Sequence, residues 1–171
     1  MVVTRLHTAV ALTWLMVFGL LAGCSDDSDR AGRQTPTVAF ELRDMQGQLL
    51  RFPRDVANNV VLVAFWADWC PACKQELRHF EQLHRRHKER GLSVLAINIA
   101  QDRQTAAAFI QDLDLGYDVL LDSDGQVASA HNISLLPAAL VFDQRAVLQT
   151  RVLGETSYET FEQLVLGLLP E

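Results

Sequence analysis

Val60-Val61-Leu62-Val63-Ala64-Phe65-Trp66 leads through Ala67-Asp68-Trp69 into Cys70-Pro71-Ala72-Cys73, and this stretch decides the fold. The valine-rich apolar run predicts a strand that is buried on both faces of a sheet. Pro71 predicts that a helix begins directly after the strand, because proline suits the first helical position in both its φ angle and its missing N–H. Cys70 then caps this helix, where free N–H groups and the helix dipole favour a thiolate.

The pair Cys70 and Cys73 admits two interpretations. A thiolate is the nucleophile of disulfide exchange, and Cys73, one helical turn further on, can close a disulfide with Cys70. The alternative is half of a zinc site, which needs two more ligands, usually a second cysteine pair or spaced histidines. The only other cysteine is Cys24. The pattern therefore favours a redox pair, and we expect neither a resident metal nor a cofactor.

Residues 1–23 have the pattern of a signal peptide. Arg5 is their one charged side chain, an apolar stretch spans 9–22, and small residues precede Cys24. Leu21-Ala22-Gly23-Cys24 resembles the lipobox of bacterial lipoproteins, which implies cleavage before Cys24 and a diacylglycerol on its sulfur. The alternative is an uncleaved membrane anchor, since the uncharged segment 6–25 approaches the ~20 residues of a span.

Both alternatives predict an exported domain that is tethered to a membrane. We expect a signal peptide at 1–23, a flexible tether at 24–36 and one domain at 37–171. The predicted location is the bacterial cell envelope, where the domain faces the periplasm from the outer or the inner membrane.

The charge balance argues against nucleic acid as a partner. The chain has 21 acidic and 15 basic residues, a net charge of −6, and loss of residues 1–23 with Arg5 makes it −7. An acidic surface repels a phosphate backbone.

Strands and helices are predicted to alternate along the remaining chain. Predicted strands cover 38–42, 49–52, 60–66, 93–99, 119–121, 139–142 and 147–153; predicted helices cover 71–90, 103–113, 127–131 and a last one that starts at the capping box Thr156-Ser157-Tyr158-Glu159. The first two strands flank a turn and predict an N-terminal β-hairpin. The order predicts an α/β fold, a central mixed sheet with helices on both faces.

Trp66-Ala67-Asp68-Trp69-Cys70-Pro71-Ala72-Cys73 resembles the thioredoxin superfamily signature W-A-x-W-C-x-x-C. A second match is Leu135-Leu136-Pro137, where thioredoxin-like proteins carry a cis-proline opposite the dithiol. The segment 121–127 is more similar to the membrane-tethered TlpA/ResA branch, a near relative of the CcmG/DsbE type of cytochrome c maturation thioredoxin. The resemblance spans about residues 37–169 and implies a thioredoxin-like fold.

The resemblance implies roles for three residues of the predicted helix. Cys70 is expected to be the attacking sulfur and Cys73 the resolving sulfur. Glu76 matches the active-site acid of the TlpA/ResA branch. If it is partly buried, its pKa is raised and it can relay the proton of Cys73. The alternative is an ordinary exposed helix glutamate.

Four neighbours of the dithiol complete the predicted site. An X-Pro bond is the common place for a cis peptide, and a cis bond at Pro137 would leave the backbone of Leu136 free to pair with an extended substrate. The alternative is a proline that starts an edge strand. Lys74 either favours the thiolate or is solvated. Trp69 is expected to pack around the dithiol.

The sequence departs from the family pattern at several positions. Ala72 stands where the family usually has proline before the second cysteine, which leaves the redox potential open. Ala64 replaces the buried aspartate of thioredoxin itself, as expected for a branch that uses Glu76. Ala138 replaces the common threonine after the cis-proline, and the nearby glutamate of the maturation-specific relatives is absent.

These observations predict a membrane-anchored, monomeric thiol–disulfide oxidoreductase that reduces disulfides in exported proteins. The expected targets are apocytochrome c or metal-site cysteines, and a membrane or periplasmic thiol donor would re-reduce the protein. The alternatives are a disulfide-donating oxidant, a non-catalytic binding lipoprotein, and a copper or zinc carrier. The carrier would add His79, His84 and His87 to the two cysteines.

Overall fold

The computed structural model describes residues 37–170. The predicted signal peptide, the tether and Cys24 lie outside these residues. The strands are β1 Phe40–Asp44, β2 Leu49–Phe52, β3 Val60–Trp66, β4 Leu92–Ile99, β5 Asp118–Asp122, β6 Ala138–Phe142 and β7 Leu148–Leu153; the α-helices are α1 Pro71–His87, α2 Arg103–Ile110, α3 Gln126–Ala130 and α4 Tyr158–Leu166. Between residues 37 and 170 no helix has both the length and the apolar character that a membrane span requires.

The strands form one mixed sheet in the order β2-β1-β5-β4-β3-β6-β7. The pairs β3–β4 and β4–β5 are parallel, whereas the pairs β3–β6 and β6–β7 are antiparallel. Strands β1 and β2 form the predicted hairpin and join the sheet through β5. The prediction of a thioredoxin-like α/β fold with an N-terminal hairpin is therefore confirmed.

The alternation of side chains along β3 divides the core into two layers. Leu62, Ala64 and Trp66 face the layer that holds the buried residues of α1, α2 and α4. The intervening residues of β3 face the second layer, which contains Ala128 of α3 and the aromatic rings of the hairpin. Helices thus cover both faces of the sheet, and all seven residues of β3 are buried.

The ends of all four helices differ from the prediction, and α3 is shifted by one residue, from the predicted 127–131 to Gln126–Ala130. Helix α1 stops at His87, and a 3-10 turn over Lys88–Arg90 continues to Gly91, whose φ of 90° ends the segment. Helix α2 ends at Ile110 because Leu113 N–H turns back to the Ile110 carbonyl at 2.8 Å.

The predicted capping box of α4 is wrong by one residue. Ser157, not Thr156, is the cap, and its hydroxyl accepts a hydrogen bond from Thr160 N–H at 3.2 Å. The extended backbone of Ser157, with φ −74° and ψ 155°, points its hydroxyl at this N–H.

The chain enters the domain at the end of the sheet opposite the two cysteines. The Thr37 hydroxyl donates to the Ala146 carbonyl in the turn between β6 and β7. Residue Phe142 at the end of β6 pairs with Val61 at the start of β3, while Cys70 follows the other end of β3.

Candidate active site around Cys70 and Cys73

Cys70 and Cys73 are joined by a disulfide, with their Cα atoms 5.4 Å apart. Cys70 is the N-cap of α1, in an extended conformation with φ −104° and ψ 93°, and Pro71 occupies the first helical position. The Cys73 N–H donates to the Cys70 carbonyl at 3.1 Å. The strand end and the helix start therefore hold the two sulfurs as the sequence predicts.

The two sulfurs differ in access and in electrostatic surroundings. Cys70 is 5% exposed and Cys73 is 1% exposed, so Cys70 is the sulfur that a partner can reach. The first turn of α1 contains no acidic residue, and no side chain caps its N–H groups. After reduction, these N–H groups favour the thiolate of Cys70.

An open groove of about 700 Å³ runs past Cys70. It is lined by residues of the dithiol turn, the cis-proline loop and the β7–α4 connection: Trp69, Cys70, Pro71, Ala72, Leu136, Pro137, Gly154 and Glu155. Trp69 is 67% exposed and forms one wall of this groove, which Cys70 also lines. A groove of this kind can take a polypeptide segment beside the reactive sulfur.

The opposite wall of the groove contains a cis peptide bond between Leu136 and Pro137. The Pro137 carbonyl accepts a hydrogen bond from Gly154 N–H at 2.8 Å. Leu136 itself makes no backbone hydrogen bond to another residue of the described range 37–170. Its N–H and C=O are therefore available to an extended segment in the groove.

Glu76 lies one helical turn after Cys73, and burial changes its acidity. It is 6% exposed, so the alternative of an ordinary exposed helix glutamate is wrong. Burial, and secondarily the negative charge of Glu155, raises the pKa of Glu76 to about 8. Its side chain lines a small open cleft of about 270 Å³ together with His79 and Glu155. Glu76 is thus mainly neutral at pH 7 and has access to solvent for proton exchange.

Lys74 is engaged elsewhere. Its ammonium contacts the Asp112 carboxylate at 2.7 Å and lies 5.4 Å from the centroid of the Phe109 ring. Asp112 also pairs with Arg78 at 3.5 Å. These contacts join α1 to the chain after α2. The Asp112 carboxylate therefore balances the positive charge of Lys74, the charge that was expected to favour the thiolate.

A polar network behind the dithiol turn was not predicted from the sequence. The side-chain carbonyl of Gln101 accepts hydrogen bonds from the backbone N–H of Asp68 at 3.0 Å and from the side-chain amide of Asn98 at 2.8 Å. The side-chain amide of Gln101 donates to the Asp68 carboxylate. This network fixes the turn that precedes Trp69. Asn98 was the available signal, because it is a polar residue inside the apolar strand β4.

Glu155 was also missed, and no local signal marks it. It follows β7, far in sequence from the dithiol, and reaches the groove only because β7 pairs with β6.

The histidines of α1 pack separately. His79 contacts Tyr158, His84 contacts Tyr117, and His87 Nε2 lies 3.4 Å from a Glu162 carboxylate oxygen. Residues 37–170 contain no group of three or more His, Cys, Asp or Glu side chains that could hold a metal ion. Nothing in this arrangement supports the metal-carrier alternative.

The fold and the Cys70–Cys73 disulfide define the class of protein, a thioredoxin-like thiol–disulfide oxidoreductase that is similar to proteins of the ResA and DsbE types. More particularly, the chain belongs to the AhpC/TSA family, whose model matches residues 31–151.

Similar proteins agree with this class. The thiol-disulfide oxidoreductase ResA of Halalkalibacterium halodurans is 28% identical over 83% of this chain and 79% of its own length. A crystal structure described as the thiol:disulfide interchange protein DsbE of Chlorobium tepidum has a TM-score of 0.74 and 24% identity, and it covers 78% of this chain and 95% of its own. The exposed lipoprotein thioredoxin Etrx1 of Streptococcus pneumoniae has a TM-score of 0.68 and 21% identity, with coverage of 77% and 100%.

The buried carboxyl of Glu76 predicts a specific pH dependence of stability. The unfolded chain loses this proton near pH 4.5 and the folded chain near pH 8, so the free energy of unfolding falls as the pH rises between these values. Glu76→Gln removes this pH-dependent loss. The gain in free energy of unfolding of the variant over wild type, both in the disulfide form, should therefore be roughly 2–5 kcal/mol larger at pH 9 than at pH 4. Urea unfolding at both pH values measures the difference. Glu159→Gln, which changes an exposed acid, is the control, and an equal gain for both variants would contradict the assignment.

Proposed function

We propose that this protein is an exported, membrane-anchored thiol–disulfide oxidoreductase that reduces disulfides in exported proteins. The observation that carries the proposal is the arrangement of three groups: Cys70 opens onto a groove, Cys73 lies behind it, and Glu76 is buried one turn further on. The order Leu21-Ala22-Gly23-Cys24 supports the anchor, and a structural neighbour is itself described as an exposed lipoprotein thioredoxin.

The reaction begins with the reduced protein. The Cys70 thiolate attacks one sulfur of a substrate disulfide; the other substrate sulfur leaves as a thiolate and takes a proton from water. The minor ionised fraction of Glu76 then takes the proton of Cys73, whose thiolate attacks the Cys70 sulfur. The second substrate sulfur leaves as a thiolate and takes a proton from water. Two electrons pass to the substrate, and the protein is left with the Cys70–Cys73 disulfide.

The substrate segment lies extended in the groove. The free backbone groups of Leu136 pair with it as a neighbouring strand would, which holds the attacked sulfur opposite Cys70. Such main-chain pairing accepts many sequences, so unfolded exported proteins with cysteines for haem or metal attachment are suitable substrates.

The return half of the cycle needs a thiol donor. Export separates the protein from cytosolic reductants, so a membrane or periplasmic thiol carrier is the proposed partner. Its thiolate attacks Cys70, and the neutral Glu76 donates a proton to the departing Cys73 sulfur. The raised pKa of Glu76 suits this step, because the carboxyl still holds its proton at pH 7.

This role predicts how fast a small thiol reduces the disulfide. Glu76→Gln should slow reduction at pH 6.5 by about 10- to 100-fold, because the leaving sulfur of Cys73 loses its proton donor. The rate constant per thiolate should fall as the wild-type protein passes pH 8 and should stay flat in the variant. Stopped-flow tryptophan fluorescence with excess dithiothreitol measures it. Glu89→Gln, in the 3-10 turn that follows α1, is the control. Identical pH profiles for Glu76→Gln and wild type would contradict this role.

The direction of the reaction is predicted by the reduction potential. We expect the Cys70–Cys73 couple to lie near or below about −250 mV, close to thioredoxin. The helix N-terminus stabilises reduced Cys70 and thereby favours the second candidate, a disulfide-donating oxidant. Equilibration of the purified chain in thiol–disulfide buffers, followed by Trp69 fluorescence, decides between them. A value near about −120 mV would make the protein an oxidant.

The anchor predicts a defined mature N-terminus. Protein expressed in a bacterium should begin at Cys24 and carry the mass of a lipid on that residue. Intact-mass and peptide mass spectrometry of the membrane fraction measure both. Cys24→Ser should abolish lipidation, because it removes the sulfur that would carry the lipid. Recovery of an unmodified Met1 in the wild type would show that the lipoprotein assignment is wrong.

A further inference from the structure

Glu155 lies between the groove and the small cleft of the site. It lines the groove that contains Cys70 and Pro137, and it also lines the small cleft that contains Glu76. Among the eight described residues that line the groove, Glu155 is the only charged one. A substrate segment beside Cys70 therefore meets one fixed charge, and this charge is negative.

The backbone on both sides of Glu155 is well fixed. Gly154 has a φ of 85° and its N–H donates to the Pro137 carbonyl at 2.8 Å. Two residues after Glu155, Ser157 caps helix α4. The backbone that carries the Glu155 side chain is thus held next to the cis-proline loop.

The other charges near the dithiol have partners, whereas Glu155 has none in the described range. Lys74 contacts Asp112 at 2.7 Å, and the Asp68 carboxylate accepts from the Gln101 amide. Glu155 is exposed and makes no ion pair or side-chain hydrogen bond with residues 37–170. An unpaired charge at the rim of an otherwise uncharged groove is available to a ligand of opposite sign.

We propose that Glu155 forms a subsite for a positively charged side chain, so that the protein prefers disulfides with a Lys or Arg one to three residues from the attacked cysteine. An extended segment advances ~3.3 Å per residue, and the long side chain of Lys or Arg spans the remaining gap. This inference rests on the proposed function, because it names the substrate class of the same site.

A cation at this subsite also affects Glu76. The negative charge of Glu155 contributes to the raised pKa of Glu76, after burial. The other titratable groups near Glu76 are His79 on its own helix and the Tyr117 phenol, whose hydroxyl donates to the Leu77 carbonyl at 2.9 Å. A substrate cation neutralises Glu155 and lowers the pKa of Glu76. More Glu76 is then ionised and ready to accept the proton of Cys73.

Three model substrates test the inference. Each is a short peptide with one cysteine in a mixed disulfide with a fluorogenic thiol, and with Lys, Ala or Glu two residues away. The reduced full-length protein should react with the Lys peptide about two- to fivefold faster than with the Ala peptide, the range of one exposed ion pair. The Glu peptide should be the slowest, and the differences should shrink at 0.5 M salt.

Variants separate a charge effect from a structural one. Glu155→Gln should bring the three rates together, Glu155→Lys should reverse their order, and Glu159→Gln should keep the wild-type order. Equal rates for the three peptides with wild type would overturn the subsite alone. Failure to reduce any of them would overturn the proposed reductase function instead.

Discussion

Strand β3 is buried on both faces along its whole length, and the position of every reactive group depends on this burial. A strand at the centre of a seven-stranded sheet cannot shift by one residue without moving its apolar side chains to the wrong layer. Its last residue, Trp66, therefore fixes where α1 begins, and α1 fixes Cys70, Cys73 and Glu76 in turn. The antiparallel neighbour β6 delivers the cis-proline loop to the same end of the sheet.

Much of this arrangement could be predicted because its signals are local. Each signal lies within a few neighbouring residues: the apolar run of β3, the proline at the first helical position, and the spacing from Cys73 to Glu76. The cis bond at Pro137 followed from a resemblance and is present. Gln101 and Glu155 could not be predicted in the same way, because their places in the site come from strand pairing between distant segments.

The helix ends show the same limit at smaller scale. The sequence is compatible with a helix cap at either Thr156 or Ser157, and the backbone angles of Ser157 decide between them. Helix α2 ends where its chain turns to bring Asp112 to Lys74, a contact between two elements. Patterns in sequence give the core of an element more reliably than its ends, because the ends depend on tertiary contacts.

The hydrogen bond between Thr37 and Ala146 places the start of the domain at the end of the sheet opposite Cys70. Helix α1 spans about 25 Å from one end to the other. The first described residue and the reactive sulfur therefore lie at opposite ends of the sheet, so a partner that contacts Cys70 approaches the end of the domain opposite Thr37.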